Sequence, residues 1–140
     1  MSRFERWSLW SSTLAVSLTG LGFTWAKYFA EADDPWAVVN HPLEPWMLKL
    51  HVISAPLFVF AVGLVTMRHI VPHLLNATPA GRRTGLVMVW TIVPMVVTDY
   101  LVQVVTVPAW LLPLAIGHIA AGILFLGGFL LHRGRKKTSD

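Results

Sequence analysis

Four apolar stretches alternate with short polar segments along the chain, at about residues 7–29, 45–67, 84–106 and 108–131. At about 1.5 Å per residue, each is long enough to cross about 30 Å of hydrocarbon. Ser2 and Glu5 have capping-box spacing and predict a helix start just ahead of the first stretch. Arg3 and Arg6 before that stretch, and Ala30-Glu31-Ala32 after it, imitate a signal peptide. Its apolar run exceeds the usual core of about 7 to 15 residues, so it reads as a retained span. Backbone groups in lipid must be satisfied within the segment, and adjacent spans with short connections pack antiparallel. The pattern therefore predicts an all-α fold, a four-transmembrane-helix up-down-up-down bundle forming one integral membrane domain over residues 1–140. The longest connection, an outer loop at about residues 30–44 within AEADDPWAVVNHPLEP, carries prolines and acids that predict an ordered cap or a docking surface. No internal repeat, low-complexity tract or soluble domain emerges from the pattern.

Composition agrees with a membrane setting: 55% of residues are hydrophobic and 13% charged. Charge adds an orientation. Nine of the eleven basic residues fall in the N-terminal arm, the second loop and the tail at 132–140, whereas five of the seven acids (Glu31, Asp33, Asp34, Glu44, Asp99) lie toward the other side. The positive-inside rule places both termini in the cytoplasm, with Trp36, Trp46 and Trp110 at the outer interface and Trp7 and Trp10 at the inner one. The basic balance is thus flanking charge and calls for no nucleic acid. A multi-pass protein of the bacterial inner membrane, solvated by the lipid bilayer, is the expectation. The chain has no cysteine, which excludes disulfides, thiolate-bound zinc, iron–sulfur clusters and covalently attached haem. A metal on this chain takes histidine, methionine or oxygen ligands.

Histidine is therefore the residue to follow. His51, near the outer end of the second span, and His118, near the outer end of the fourth, both fall in the outer leaflet, where an imidazole is costly unless it is used. His51 and His69 are eighteen residues apart, five turns of an unbroken α-helix, and His118 and His132 are fourteen apart, close to four turns. Each span thus presents an outer and an inner imidazole along one stripe. Haem b suits this arrangement, since it needs no cysteine and takes an axial imidazole from each of two helices. His51 and His118 are the candidate axial ligands of an outer haem, and so the metal ligands. His69 and His132, with His73 as an alternative, are the candidates for a second, inner haem. Gly117, Ala120, Ala121 and Gly122 around His118, and Gly20 and Gly22 in the first span, would let a macrocycle approach the backbone or simply let helices pack closely.

On these residues the chain resembles the four-helix b-type cytochromes of membrane complexes, the integral cytochrome b subunits that carry electrons beside hydrogenases, formate dehydrogenases and other respiratory enzymes. The likeness extends over nearly the whole length. His118-x13-His132, in HIAAGILFLGGFLLH, is similar to the ligand spacing of cytochrome b in quinol-oxidising complexes, where the second and fourth helices each carry such a pair. His51-x17-His69 departs from it by one turn, leaving about 6 Å of axial offset at the inner level. The resemblance accordingly implies the outer pair more firmly than the inner.

Other polar residues can complete such a site. Asp99 and Tyr100, with Pro94 kinking the third span and His41 in the outer loop, would form a proton-accepting rim where a quinone or quinol reacts. Lys49, Lys27 and Trp46 on the outer side, and Arg82 and Arg83 on the inner, are candidates for haem propionates or for plain interfacial anchoring. The predicted function is electron relay between the quinone pool and a periplasmic redox partner, such as a c-type cytochrome or a catalytic subunit of a larger oxidoreductase. Two alternatives belong to other classes: a haem-free structural or assembly subunit, and a small proton or metal transporter using His51, Asp99 and His118.

Overall fold

The computed structural model describes residues 1–32, 34, 36–76 and 82–137, with side chains through His132. Asp33 of the acidic loop, residues 77–81 of the second loop, and the Arg133, Arg135, Lys136 and Lys137 side chains of the basic tail lie outside the described residues. Among the described residues the chain is all-helical, with four long helices. The first, α1, covers Arg3–Tyr28; the second begins as α2, Glu44–Val65, passes through a π-helical turn at Thr66–Ile70, and ends as the short α3, Val71–Leu75. The last two are α4, Arg82–Val104, and α5, Pro108–Lys137.

Local chemistry sets the ends. The Ser2 hydroxyl accepts from the Glu5 N–H at 3.1 Å while the Glu5 carboxylate accepts from the Ser2 N–H at 2.8 Å, so α1 starts a turn ahead of its apolar run. Pro45 and Pro108 sit in the first turns of α2 and α5, where a missing N–H costs nothing. Pro72 accounts for the π turn: it has no N–H to donate, and its ring crowds the Arg68 carbonyl, so the ladder widens just before it. That turn bears on register, because the stripe expected for His51 and His69 rests on an α-helical period and His69 lies within the π-helical turn.

Among the described residues three helices are long and apolar enough to cross a membrane: Glu44–Leu75, Arg82–Val104 and Pro108–His132. α1 has the length but is diluted by hydroxyl residues. Ser11, Ser12, Thr19 and Thr24 turn those hydroxyls back onto main-chain carbonyls four residues earlier, at 2.6–2.9 Å, which satisfies them within the helix.

The chain divides into two compact units, residues 1–75 and 76 onward, each a helical hairpin. In the first, α1 and α2 run antiparallel and bury Ser12, Thr13 and Ala26 against Ser54, Phe58, Ala61 and Val65. Gly22 admits the Met47 sulfur, which would lie 3.0 Å from a Cβ placed there. In the second, α4 and α5 meet at Gly128, where an added Cβ would sit 3.1 Å from Met88 Cγ, and bury Ala121, Phe125 and Phe129. Close approach at small residues is how helices associate when lipid removes the hydrophobic drive between them. Large apolar side chains such as Leu14, Phe60, Trp90 and Ile116 are exposed on the outward faces, as lipid contact requires.

The hairpins share an internal pattern that the amino-acid sequence alone did not reveal. Ser54, Phe58, Ala61 and Val65 follow His51 by 3, 7, 10 and 14 residues; Ala121, Phe125, Gly128 and His132 follow His118 by the same intervals, and all but His132 are buried. Position for position, the counterpart of His132 in the first hairpin is the buried Val65 rather than His69.

Candidate functional site

Each hairpin holds one imidazole against the preceding helix in the same way. The His51 Nδ1 lies 3.0 Å from the carbonyl oxygen of Val16 and 3.3 Å from the hydroxyl of Thr19. The His118 Nδ1 lies 2.9 Å from the carbonyl oxygen of Met95 and 3.4 Å from the hydroxyl of Thr98. In both helices the carbonyl and the threonine are three residues apart. A carbonyl can only accept, so Nδ1 carries the proton at both sites. Each hydroxyl also approaches the carbonyl four residues before it, Thr19 to Ala15 at 2.7 Å and Thr98 to Pro94 at 2.6 Å, and donates there. It therefore faces the ring as an acceptor, and the Nδ1–H is shared between main chain and threonine.

The cradles differ in what lies beside the ring. In the first hairpin the residue after the threonine is Gly20, and a Cβ there would fall 2.8 Å from His51 Cε1 and 3.1 Å from Nδ1. Only a glycine admits the imidazole at that distance. Ser54 adds a hydroxyl 3.4 Å from that of Thr19 while donating to the His51 carbonyl at 3.0 Å. In the second hairpin the corresponding residue is Asp99, whose carboxylate accepts from the Gln103 side chain at 3.3 Å.

A third histidine is held similarly. The His132 Nδ1 is 3.0 Å from the Thr84 hydroxyl, and Gly85 follows that threonine as Gly20 follows Thr19. At the matching level of the first hairpin stands a buried carboxylate, Glu5, with Arg68 at 3.5 Å. His69 and His73 pair with each other: their ring centroids are 4.3 Å apart, and His73 Nδ1 lies 2.7 Å from the His69 carbonyl.

The remaining predicted residues take other partners. Lys49 sits over the Trp46 ring at 5.0 Å and Lys27 over Phe23 at 5.3 Å, both cation–π contacts. His41 packs edge-on against Trp25 at 5.1 Å and accepts from the Leu43 N–H, while Asn40 donates to the Lys27 carbonyl at 2.6 Å, so this part of the outer loop is tied to the end of α1. Tyr100 is exposed, and Arg82 opens α4 as an exposed residue. Sequence reasoning missed Thr19, Thr98, Thr84 and the specific use of Gly20. The signal was present as the tripeptide Thr-Gly-Leu at 19–21 and again at 84–86, and as Leu-Phe placed six and seven residues after both His51 and His118.

A family model described as a protein of unknown function (DUF2627) matches residues 84–139, a stretch that takes in Met95, Thr98 and His118. No curated protein and no solved structure matches the chain.

Proposed function

We propose that this chain is a membrane-embedded b-type cytochrome subunit in which each helical hairpin supplies one axial imidazole, His51 and His118, to a single haem. The observation that carries the reading is the repeated cradle. Histidines that bind metal through one ring nitrogen characteristically donate the other N–H to a carbonyl or carboxylate, which fixes the tautomer and makes the ring a stronger ligand. Both imidazoles are held in that tautomer by the same pair of acceptors, which leaves Nε2 as the coordinating nitrogen. Gly20 fits the same purpose, since a helix that must admit a ring side-on has no room for a side chain there.

Haem held by two imidazoles supplies one-electron chemistry and has no open position for a substrate. The protein's part would be to fix both rings and surround the site with apolar residues, with Phe58 and Phe125 buried about two turns beyond each histidine. The four helices would span the bacterial inner membrane with both termini in the cytoplasm, α1 carrying its hydroxyls internally satisfied. Electrons would pass between the quinone pool and a periplasmic redox subunit docking on the loop that His41 and Asn40 tie down. The inner level favours one haem over two, because the position matching His132 is Val65.

A reduced-minus-oxidised visible spectrum of the purified full chain tests this. The expected result is a b-type absorption at one haem per chain, abolished in His51→Ala and in His118→Ala and retained in His132→Ala. A colourless wild-type protein, after expression with ample haem, overturns it.

A further inference from the structure

His69 and His73 are imidazoles of the first hairpin that the proposed haem leaves unused, and three features make them a unit. They are four residues apart, which brings side chains together on one helical face. Their rings are in contact, with centroids 4.3 Å apart at 51°. His73 Nδ1 lies 2.7 Å from the His69 carbonyl and must donate to it, which makes Nε2 the coordinating nitrogen of that ring. The main chain prepares this. Thr66–Ile70 is a π turn, a departure from the α ladder that recurs at functional sites, and it delivers His69 to the turn that carries His73.

We infer that His69 and His73 chelate a divalent transition-metal ion of borderline softness, of the Zn²⁺, Ni²⁺ and Cu²⁺ class. Imidazole nitrogen suits these ions, whereas Mg²⁺ and Ca²⁺ demand oxygen ligands that this pair does not offer. His73 is exposed, so solvent can complete the coordination shell. The neighbouring Arg68 does not compete, because its guanidinium turns to Glu5. The ion would pin the π turn to the α3 turn beyond it.

Titration of the untagged full chain in detergent with Zn²⁺ by calorimetry, and with Cu²⁺ by electron paramagnetic resonance, tests the site. One ion per chain is expected, with a nitrogen hyperfine pattern from two imidazoles, no competition from Mg²⁺, and affinity falling by about tenfold or more in either His69→Ala or His73→Gln. His41→Ala and His132→Ala should bind as the wild type does. His73→Gln alters an exposed residue and leaves the fold intact, so its unchanged affinity would overturn the inference, as would binding lost equally on replacing His132. The haem is not involved: His51→Ala and His118→Ala leave the ion bound, so failure of one reading is distinguishable from failure of the other.

Discussion

His51 and His118 meet the same two acceptors at distances that agree within about 0.1 Å, yet the residue beside each threonine is Gly20 in one hairpin and Asp99 in the other. Fourteen residues further on, Val65 stands where the second hairpin has His132, and eleven residues before the accepting carbonyls Glu5 stands where it has Thr84. The imidazole cradle is thus the constant element of two otherwise diverging helix pairs. In both hairpins the carbonyl takes the Nδ1–H, so both rings are left with the same nitrogen, Nε2, unprotonated.

The sharpest way to break the comparison is at the glycine. Gly20→Val places methyl groups where the His51 ring already lies, so either the ring leaves its acceptors or the helices part. Overpacking of this kind costs about 1–3 kcal/mol, and loss of the imidazole's hydrogen bonds adds about 1 kcal/mol. Thermal unfolding in detergent should show the largest drop of any single substitution proposed, together with loss of the haem spectrum. Asp99→Gly, which makes the second cradle resemble the first, should leave the spectrum in place. If Gly20→Val keeps both stability and colour, the cradles are not the ligand sites.

The next effect separates the far ends. Glu5 is 6% exposed and serves two partners, the Ser2 N–H and Arg68, whereas Arg68 is mostly exposed. Glu5→Ala should therefore destabilise the first hairpin by about 1–2 kcal/mol through the lost cap, and Arg68→Ala by about 0.5 kcal/mol or less, since an exposed partner is screened. Equal losses from both substitutions would show that the ion pair, rather than the capping box, is what Glu5 contributes.

Much of the fold was legible because hydrophobic length and hydrogen-bond economy in lipid leave few choices. The four helices follow from the apolar runs, and the Ser2–Glu5 cap was readable as spacing. The interrupted second helix was not, because Pro72 looks like an ordinary helix stop, while the chain instead widens one turn and continues. The spacing that puts His69 on the stripe of His51 requires an unbroken 3.6-residue period, and Thr66–Ile70 departs from it. The histidines themselves stood out, as ionisable residues in apolar spans always do. Their holders did not: threonine in a membrane helix usually satisfies itself, and nothing in a single strand of sequence shows that Thr19 and Thr98 also face a neighbouring ring. The repeat was hidden for a related reason. Only His, Leu and Phe positions are shared between α2 and α5, and the correspondence becomes visible once burial marks which residues face inward.

Thr19→Val and Thr98→Val sharpen the comparison at the cradles themselves. Each removes one acceptor from an Nδ1–H that keeps its carbonyl, at a cost of about 1 kcal/mol or less. If both rings ligate one iron, each substitution makes its imidazole a weaker donor and should raise the midpoint potential in the same direction and by similar amounts. Potentiometry on the two variants reads this directly, and Ser in place of Val should restore the wild-type value. Opposite or one-sided shifts would mean that only one of the two imidazoles is a ligand.

The smallest expected effect concerns Thr13, which lies three residues before Val16 and is matched by Ile92, three before Met95. Thr13 is 2% exposed, and its hydroxyl is the one buried side-chain polar atom among the described residues that lacks a hydrogen-bond partner. The second hairpin places an apolar residue at that level, and the first carries a polar group there for no structural return. Thr13→Val keeps the branched shape and removes the orphaned hydroxyl, so it should leave stability unchanged or raise it by up to about 1 kcal/mol, with no change in the spectrum. A loss of stability instead would mean that the hydroxyl has a partner which the hairpin by itself does not supply, such as a bound water or the edge of the haem. In that case the first hairpin would hold a polar contact to the cofactor with no equivalent in the second, and the two cradles would stand in different surroundings despite their common geometry.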